Sequence, residues 1–203
     1  FSDEAKTKEV NITAGNLDVD IVQYTGEGNG ASLADQSIFD EEKLASFKWE
    51  PGAMFTSNQF SIANKGSLKL WYSVSISAES TSDSKVDLTD RVKMKVVDTS
   101  LLEVEAPSGD NDNQAARKAY WEAISTGDAD VTTGEIGANS EVAGPLVAVL
   151  YWDPADSTDP EDTTANPDNL YNMKDEETEL TAKFTLNVFC LLYTSPSPRD
   201  RSL

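Results

Sequence analysis

The stretch Leu68 to Ala78 constrains this chain more than any other. Leu68, Leu70, Tyr72, Val74, Ile76 and Ala78 occupy every second position, and polar residues fill the places between, with Trp71 the one aromatic on the polar side. A strand turns successive side chains to opposite faces, whereas a helix would scatter these apolar residues around its circumference. The segment therefore reads as a strand with one buried and one wet face, and its buried face requires a second layer.

Shorter stretches repeat the pattern. Leu17, Val19 and Ile21 alternate with Asp18, Asp20 and Val22, and from Thr56 to Ala63 Phe60 and Ile62 point inward against Gln59, Ser61 and Ala63. Asn64-Lys65-Gly66-Ser67 then reads as a hairpin connection into the Leu68 strand. Val92, Met94 and Val96 alternate with Arg91, Lys93 and Lys95, and Leu180, Ala182, Phe184, Leu186 and Val188 form a last strand in phase. Leu146 to Trp152, LVAVLYW, is apolar almost throughout, as a strand covered on both faces would be.

Between these lie loops and one helix. Residues 27–34, 81–90 and 131–139 read as polar or Gly- and Thr-rich connections, Ile38 to Phe47 as a short helical turn around Leu44, and Trp49-Glu50-Pro51-Gly52 as a turn. From about Asp112 to Thr126, Ala116, Ala119, Tyr120, Ala123 and Ile124 fall at helical spacing, with Asp112 as N-cap and Gly127 as a left-handed terminator. The helix would cover an edge or end of the sheets, including one side of the LVAVLYW strand. The whole predicts a mainly β protein, an antiparallel β-sandwich with one inserted helix and long loops.

Composition narrows function. The formal net charge is −20 over 203 residues, which repels phosphate backbones and anionic lipid surfaces, so no nucleic-acid partner is expected. No run approaches the roughly 18 apolar residues of a membrane span. Histidine is absent, which removes H-E-x-x-H metal sites and triads with a His base. The single cysteine, Cys190, cannot form an intramolecular disulfide. Such a composition suits an exported bacterial protein, although a cytosolic chain could share it.

The two ends differ in character. Phe1 to Asp20 starts without methionine on an aromatic, is polar at first, and reaches β alternation only at Val10 and Ile12, as a chain cut from a precursor or a fragment would. Cys190 to Asp200, CLLYTSPSPRD, resembles over its eleven residues the in-frame translation of a transposase sequencing adapter. Residues 190–203 are accordingly expected to be a non-native tail in which Cys190 has no function, and residues 1–189 a single domain.

The chain also resembles the TasA/camelysin family of secreted proteins from Gram-positive bacteria. The residues that carry this are Phe1-Ser2-Asp3, Ala14-Gly15-Asn16-Leu17-Asp18, Pro51-Gly52, Phe60, Asn64-Lys65-Gly66-Ser67-Leu68, and Asn169-Leu170-Tyr171-Asn172 before the last strand, with Asn172 where the family usually has Gln. Residues 81–139 match only in character. The resemblance implies a jelly-roll-like sandwich, matured by a SipW-type signal peptidase and assembled into extracellular matrix (biofilm) fibres. It also implies that the arm 1–12 of one copy adds as a strand to the next, which makes Phe1, Ser2, Asp3, Val10 and Ile12 the polymerisation residues and a second copy the main partner. A polar arm that cannot anchor itself gains main-chain hydrogen bonds at an open edge; alternatively it is a frayed terminus or an edge strand of its own sheet.

Asp153, Asp156, Asp159, Glu161 and Asp162 are the oxygen-rich kind of set that Ca²⁺ takes, but they lack the EF-hand order, and a solvated charge run describes them better. A glycosidase pair would need two carboxylates fixed in a cleft, which a Pro-punctuated loop does not provide. Camelysin-like metalloprotease activity would need a zinc site built from carboxylates alone, so no enzyme and no cofactor is expected. A surface-anchored adhesin or minor accessory subunit on the same fold, binding a partner without polymerising, is the remaining alternative, and a minor fibre subunit is a further expected partner. Trp71, on the polar face of the Leu68 strand, reads as a fibre contact or, more commonly for such a residue, as lying under a loop.

Overall fold

The structure is a computed structural model and describes residues 18–26, 30–34, 36–80, 87–102, 106–107, 113–127, 130–138, 142–154 and 182–192. The strands are β1 (Val19–Gln23), β2 (Met54–Thr56), β3 (Phe60–Asn64), β4 (Leu70–Ser80), β5 (Val92–Asp98), β6 (Thr133–Ile136), β7 (Val142–Trp152) and β8 (Ala182–Leu192). Two helices, α1 (Glu41–Ser46) and α2 (Gln114–Thr126), accompany them. The protein is mainly β, with two antiparallel sheets packed as a sandwich and α2 inserted between β5 and β6 in the chain.

The apolar run organises the larger sheet. β7 pairs with β3 through its first half and with β2 through Val149–Tyr151, while β5 runs along Leu146–Trp152 on the opposite edge, and β1 extends the sheet beyond β3. The smaller sheet has the order β6-β4-β8, with eleven successive residue pairs from Leu70↔Leu192 to Ser80↔Ala182. Leu146, Ala148, Leu150 and Trp152 on one face of β7 meet Leu70, Tyr72 and Ile136 of the smaller sheet in the main core. Val149 and Tyr151 on the other face pack with Met54, Val97 and with Trp121 and Ile124 of α2. β7 is thus covered on both sides, as its unbroken hydrophobicity requires.

Several expectations need correction. Asn64 to Ser67 is not a hairpin: β3 belongs to the larger sheet and β4 to the smaller, so the chain crosses between layers there. Asn64, fully buried, holds the crossing. Its Nδ2 donates to Leu68 O and Gly137 O, each at 2.8 Å, and its Oδ1 accepts from Gly66 N at 2.9 Å. β3 has no wet face, since Ser61 and Ala63 are as buried as Phe60 and Ile62; it is an inner strand, flanked by β1 and β7. In β1 Val22 is more buried than Val19 or Ile21, because the 31–33 segment pairs along its edge.

Residues 131–139, expected to be a loose connection, contain β6, which pairs with Leu70–Ser73 and buries Ile136. α2 is capped by Asn113, whose side chain accepts from Ala116 N, and Gly127 closes it in extended conformation at φ −99° rather than in the left-handed region. Its buried face is Arg117, Trp121 and Ile124, with Ala119 and Ala123 exposed. A tryptophan removes far more apolar surface from water than two alanines, so it sets the rotation of the helix. α2 lies on the face of the larger sheet rather than at its edge. Cys190 lies opposite Tyr72 in the inward phase of β8 and touches the main core.

The turn at Trp49–Gly52 is formed as expected. Ala53 N donates to Glu50 O at 2.9 Å and Gly52 has φ +85°, the left-handed position of a type II turn after Pro51. α1 is capped by Asp40, whose carboxylate accepts from Lys43 N.

Candidate functional site

Among the described residues the smaller sheet ends at β8. β8 is bonded to β4 along its whole length, and among the described residues no backbone hydrogen bond reaches its other side. The remaining edges are shorter or partly covered. Gln23 N donates to Ala31 O and Leu33 N to Ile21 O across the rim of β1, and Val131 N to Val96 O across that of β5.

Beside β8 the sandwich is open. Phe184, Leu186 and Val188 point to the core yet are only half-buried. Three adjoining depressions run beside them. The first, about 420 Å³, lies between Ala182–Phe184 and Phe39, Leu44, Trp49 and Val92. The second, about 390 Å³, lies between Phe184–Asn187 and Ile21, Leu33, Ile38 and Met94. The third, about 190 Å³, lies between Val188 and Val19, Asp20 and Ala34. Shared residues, Ser37, Phe39 and Phe184 and then Ile21 and Ala34, join them into one trough. From Ala182 to Val188 this is roughly 20 Å at ~3.3 Å per residue, the length of a short strand.

The trough is lined mainly by apolar residues, with Gln36, Ser37, Thr185 and Asn187 as uncharged polar ones, and is nearly free of charge in a strongly acidic chain. Lys183 stands at one end and Asp20 at the other. Asp20 is engaged by Lys65 Nζ and by Ser32 Oγ at 2.9 Å. Burial is the largest single influence on its carboxyl and pushes it up, but the bonds from Lys65 and Ser32 together hold it below the usual carboxylate range. It remains an anion already satisfied by its neighbours. An open main-chain edge beside alternating apolar recesses can accept an extended segment with small or medium apolar residues at every second position.

Of the residues singled out from sequence, Phe1, Ser2, Asp3, Val10 and Ile12 lie outside the described residues, as do Asp156, Asp159, Glu161 and Asp162. Asp153 follows β7, exposed, its N–H donating to Arg91 O at 3.1 Å. Among the described residues no group of three or more His, Cys, Asp or Glu side chains is placed to hold a metal ion. Trp71 is 40% exposed on the outer face of the smaller sheet, opposite Glu135 and Leu191, with Phe189 and Leu191 also exposed on β8. No helix among the described residues is long and apolar enough to cross a membrane.

Sequence reasoning missed the trough. Its β8 wall was legible as the alternation from Ala182 to Val188, but nothing local says that residues 33–49 leave that wall half-covered. No protein-family model and no curated protein matches this chain.

Proposed function

We propose that this protein is a secreted structural subunit of extracellular matrix fibres of the TasA/camelysin kind, matured by a SipW-type signal peptidase and polymerised head to tail. In this reading the arm 1–12 of one copy lies along β8 of the next, with Val10 and Ile12 entering the trough. The observation that carries the reading is the free edge of β8 beside the apolar trough. An arm at one site and an acceptor at another make a heterologous contact that does not close on itself, so repetition produces a filament. No catalysis and no cofactor enters the proposal.

The test uses the full chain. Electron microscopy at rising concentration is expected to show filaments, and deletion of residues 1–12 to leave a folded monomer. A synthetic peptide of residues 1–12 should then protect the amides of Ala182–Val188 from hydrogen exchange. Filaments that survive the deletion, or peptide protection confined to another strand, would overturn the proposal.

A further inference from the structure

Where α2 meets β7, two buried hydrogen-bond donors face the same shortage. Arg117, in the first turn of α2, is 2% exposed. Its Nε donates to Gly52 O at 2.7 Å, while its Nη2 has no acceptor among the described residues. Tyr151, fully buried on β7, has a hydroxyl with no partner among the described residues. The two are neighbours. Trp121, one turn along α2 from Arg117, sets its ring 5.2 Å from that of Tyr151, and Gly52, which receives the Arg117 bond, donates its own N–H to Trp152 O, next to Tyr151.

The charge of Arg117 is also uncompensated among the described residues, where no carboxylate pairs with it. Glu122 and Asp153 are near enough to act on Tyr151, but neither bonds to the guanidinium. The other nearby cation, Lys95, lies 5.6 Å from the Trp121 ring and is bound to Asp130 at 3.0 Å. Burial, followed by the charge of Asp153, pushes the Tyr151 phenol up to about 12, so it keeps its proton and remains a donor. Buried polar groups are almost always satisfied, and a buried cation without a countercharge is strongly penalised. Water could accept both bonds but brings no charge.

We infer that the contact between the first turn of α2 and β7 is a binding site for a small monovalent anion of halide size, held by Arg117 Nη2 and the Tyr151 hydroxyl. The anion locks α2 onto the larger sheet at the Pro51–Gly52 turn, where Gln114 Nε2 also donates to Pro51 O at 3.0 Å. The site lies on the opposite face of the larger sheet from the core that lines the trough, so it is independent of fibre assembly.

The experiment follows thermal unfolding of the full chain as chloride replaces gluconate at constant ionic strength. The midpoint is expected to rise with chloride by mass action. Tyr151→Phe, which deletes one donor and leaves the ring, should weaken the apparent chloride affinity by about tenfold, the scale of one hydrogen bond to a charged group. Glu122→Gln, which removes a neighbouring negative charge, should strengthen it. Should Tyr151→Phe fail to fold, crystals of the unaltered chain soaked in sodium bromide decide the matter, with an anomalous peak expected beside Arg117 Nη2. A midpoint that ignores which anion is present, an unchanged affinity in Tyr151→Phe, or bromide found only on the surface would each overturn the inference.

Discussion

Replacing Asn64 by alanine tests how the two sheets are joined. The chain leaves the larger sheet at Asn64 and enters the smaller at Leu70, and the Asn64 side chain bonds this crossing to itself, at Leu68 O and Gly66 N, and to the end of β6, at Gly137 O. Alanine removes three bonds of 2.8–2.9 Å from a fully buried side chain. Each is worth about 0.5–1.5 kcal/mol net, and an orphaned buried partner costs about 1–3 kcal/mol. Leu68 is only partly buried, so water can rescue its carbonyl, whereas Gly66 N is enclosed. The expected loss is therefore about 2–4 kcal/mol. With a urea slope of about 1–3 kcal/mol/M, this moves the unfolding midpoint by roughly 1–2 M without changing the slope. Asn64→Asp should be worse, since it turns an oxygen toward two carbonyls in place of the amide that binds them. Equilibrium urea denaturation followed by tryptophan fluorescence measures both. A loss below about 1 kcal/mol for Asn64→Ala would refute the view that this side chain holds the crossing.

Other outcomes are expected on similar grounds. A methyl group at Gly134 would fall on the ring of Tyr72, its partner across the β4–β6 ladder, so Gly134→Ala should lose about 1–3 kcal/mol by overpacking, read as a lower thermal midpoint. Asp20 has a depressed pKa, so the stability it contributes is present above the unfolded value near 3.8 and is lost as pH falls through the lower folded one. Asp20→Asn should cost about 0.5–1 kcal/mol at neutral pH, discounted because Lys65 is 39% exposed, and the difference should vanish in acid-denaturation curves below that window. Tyr151 is raised from 10.0 to about 12, so the folded state loses stability as pH climbs between those values. Burial also raises Tyr72 and Tyr120, and absorbance titration at 295 nm should show among the late phenols one that is missing in Tyr151→Phe.

The strands carried by period were legible, and the places where reading failed share a cause. β4, β5 and β8 announce themselves by alternation, β7 by its unbroken apolar run, and the type II turn by Pro51-Gly52. β6, TGEI, has too little pattern to be recognised; it is a strand because β4 offers it an edge. Arg117 was passed over because a charged residue is assigned to the wet side of a helix, whereas here its guanidinium reaches back to the Gly52 carbonyl. For the candidate site, one wall could be read and the opening could not. Phe1, Ser2, Asp3, Val10 and Ile12, expected from the resemblance to serve polymerisation, lie outside the described residues.

The sequence by itself determined which segments are strands and which of their faces seek the core, because pleating converts a two-residue period into sidedness within a single segment. Only the tertiary structure decided that Leu68 to Ala78 and the last strand form one ladder, that β3 and β4 part into different sheets, and that β8 has, among the described residues, a free edge beside a trough. Strand pairing joins residues far apart in the chain, and no local pattern states which of several suitable edges a strand will take, or which edge will remain without a partner.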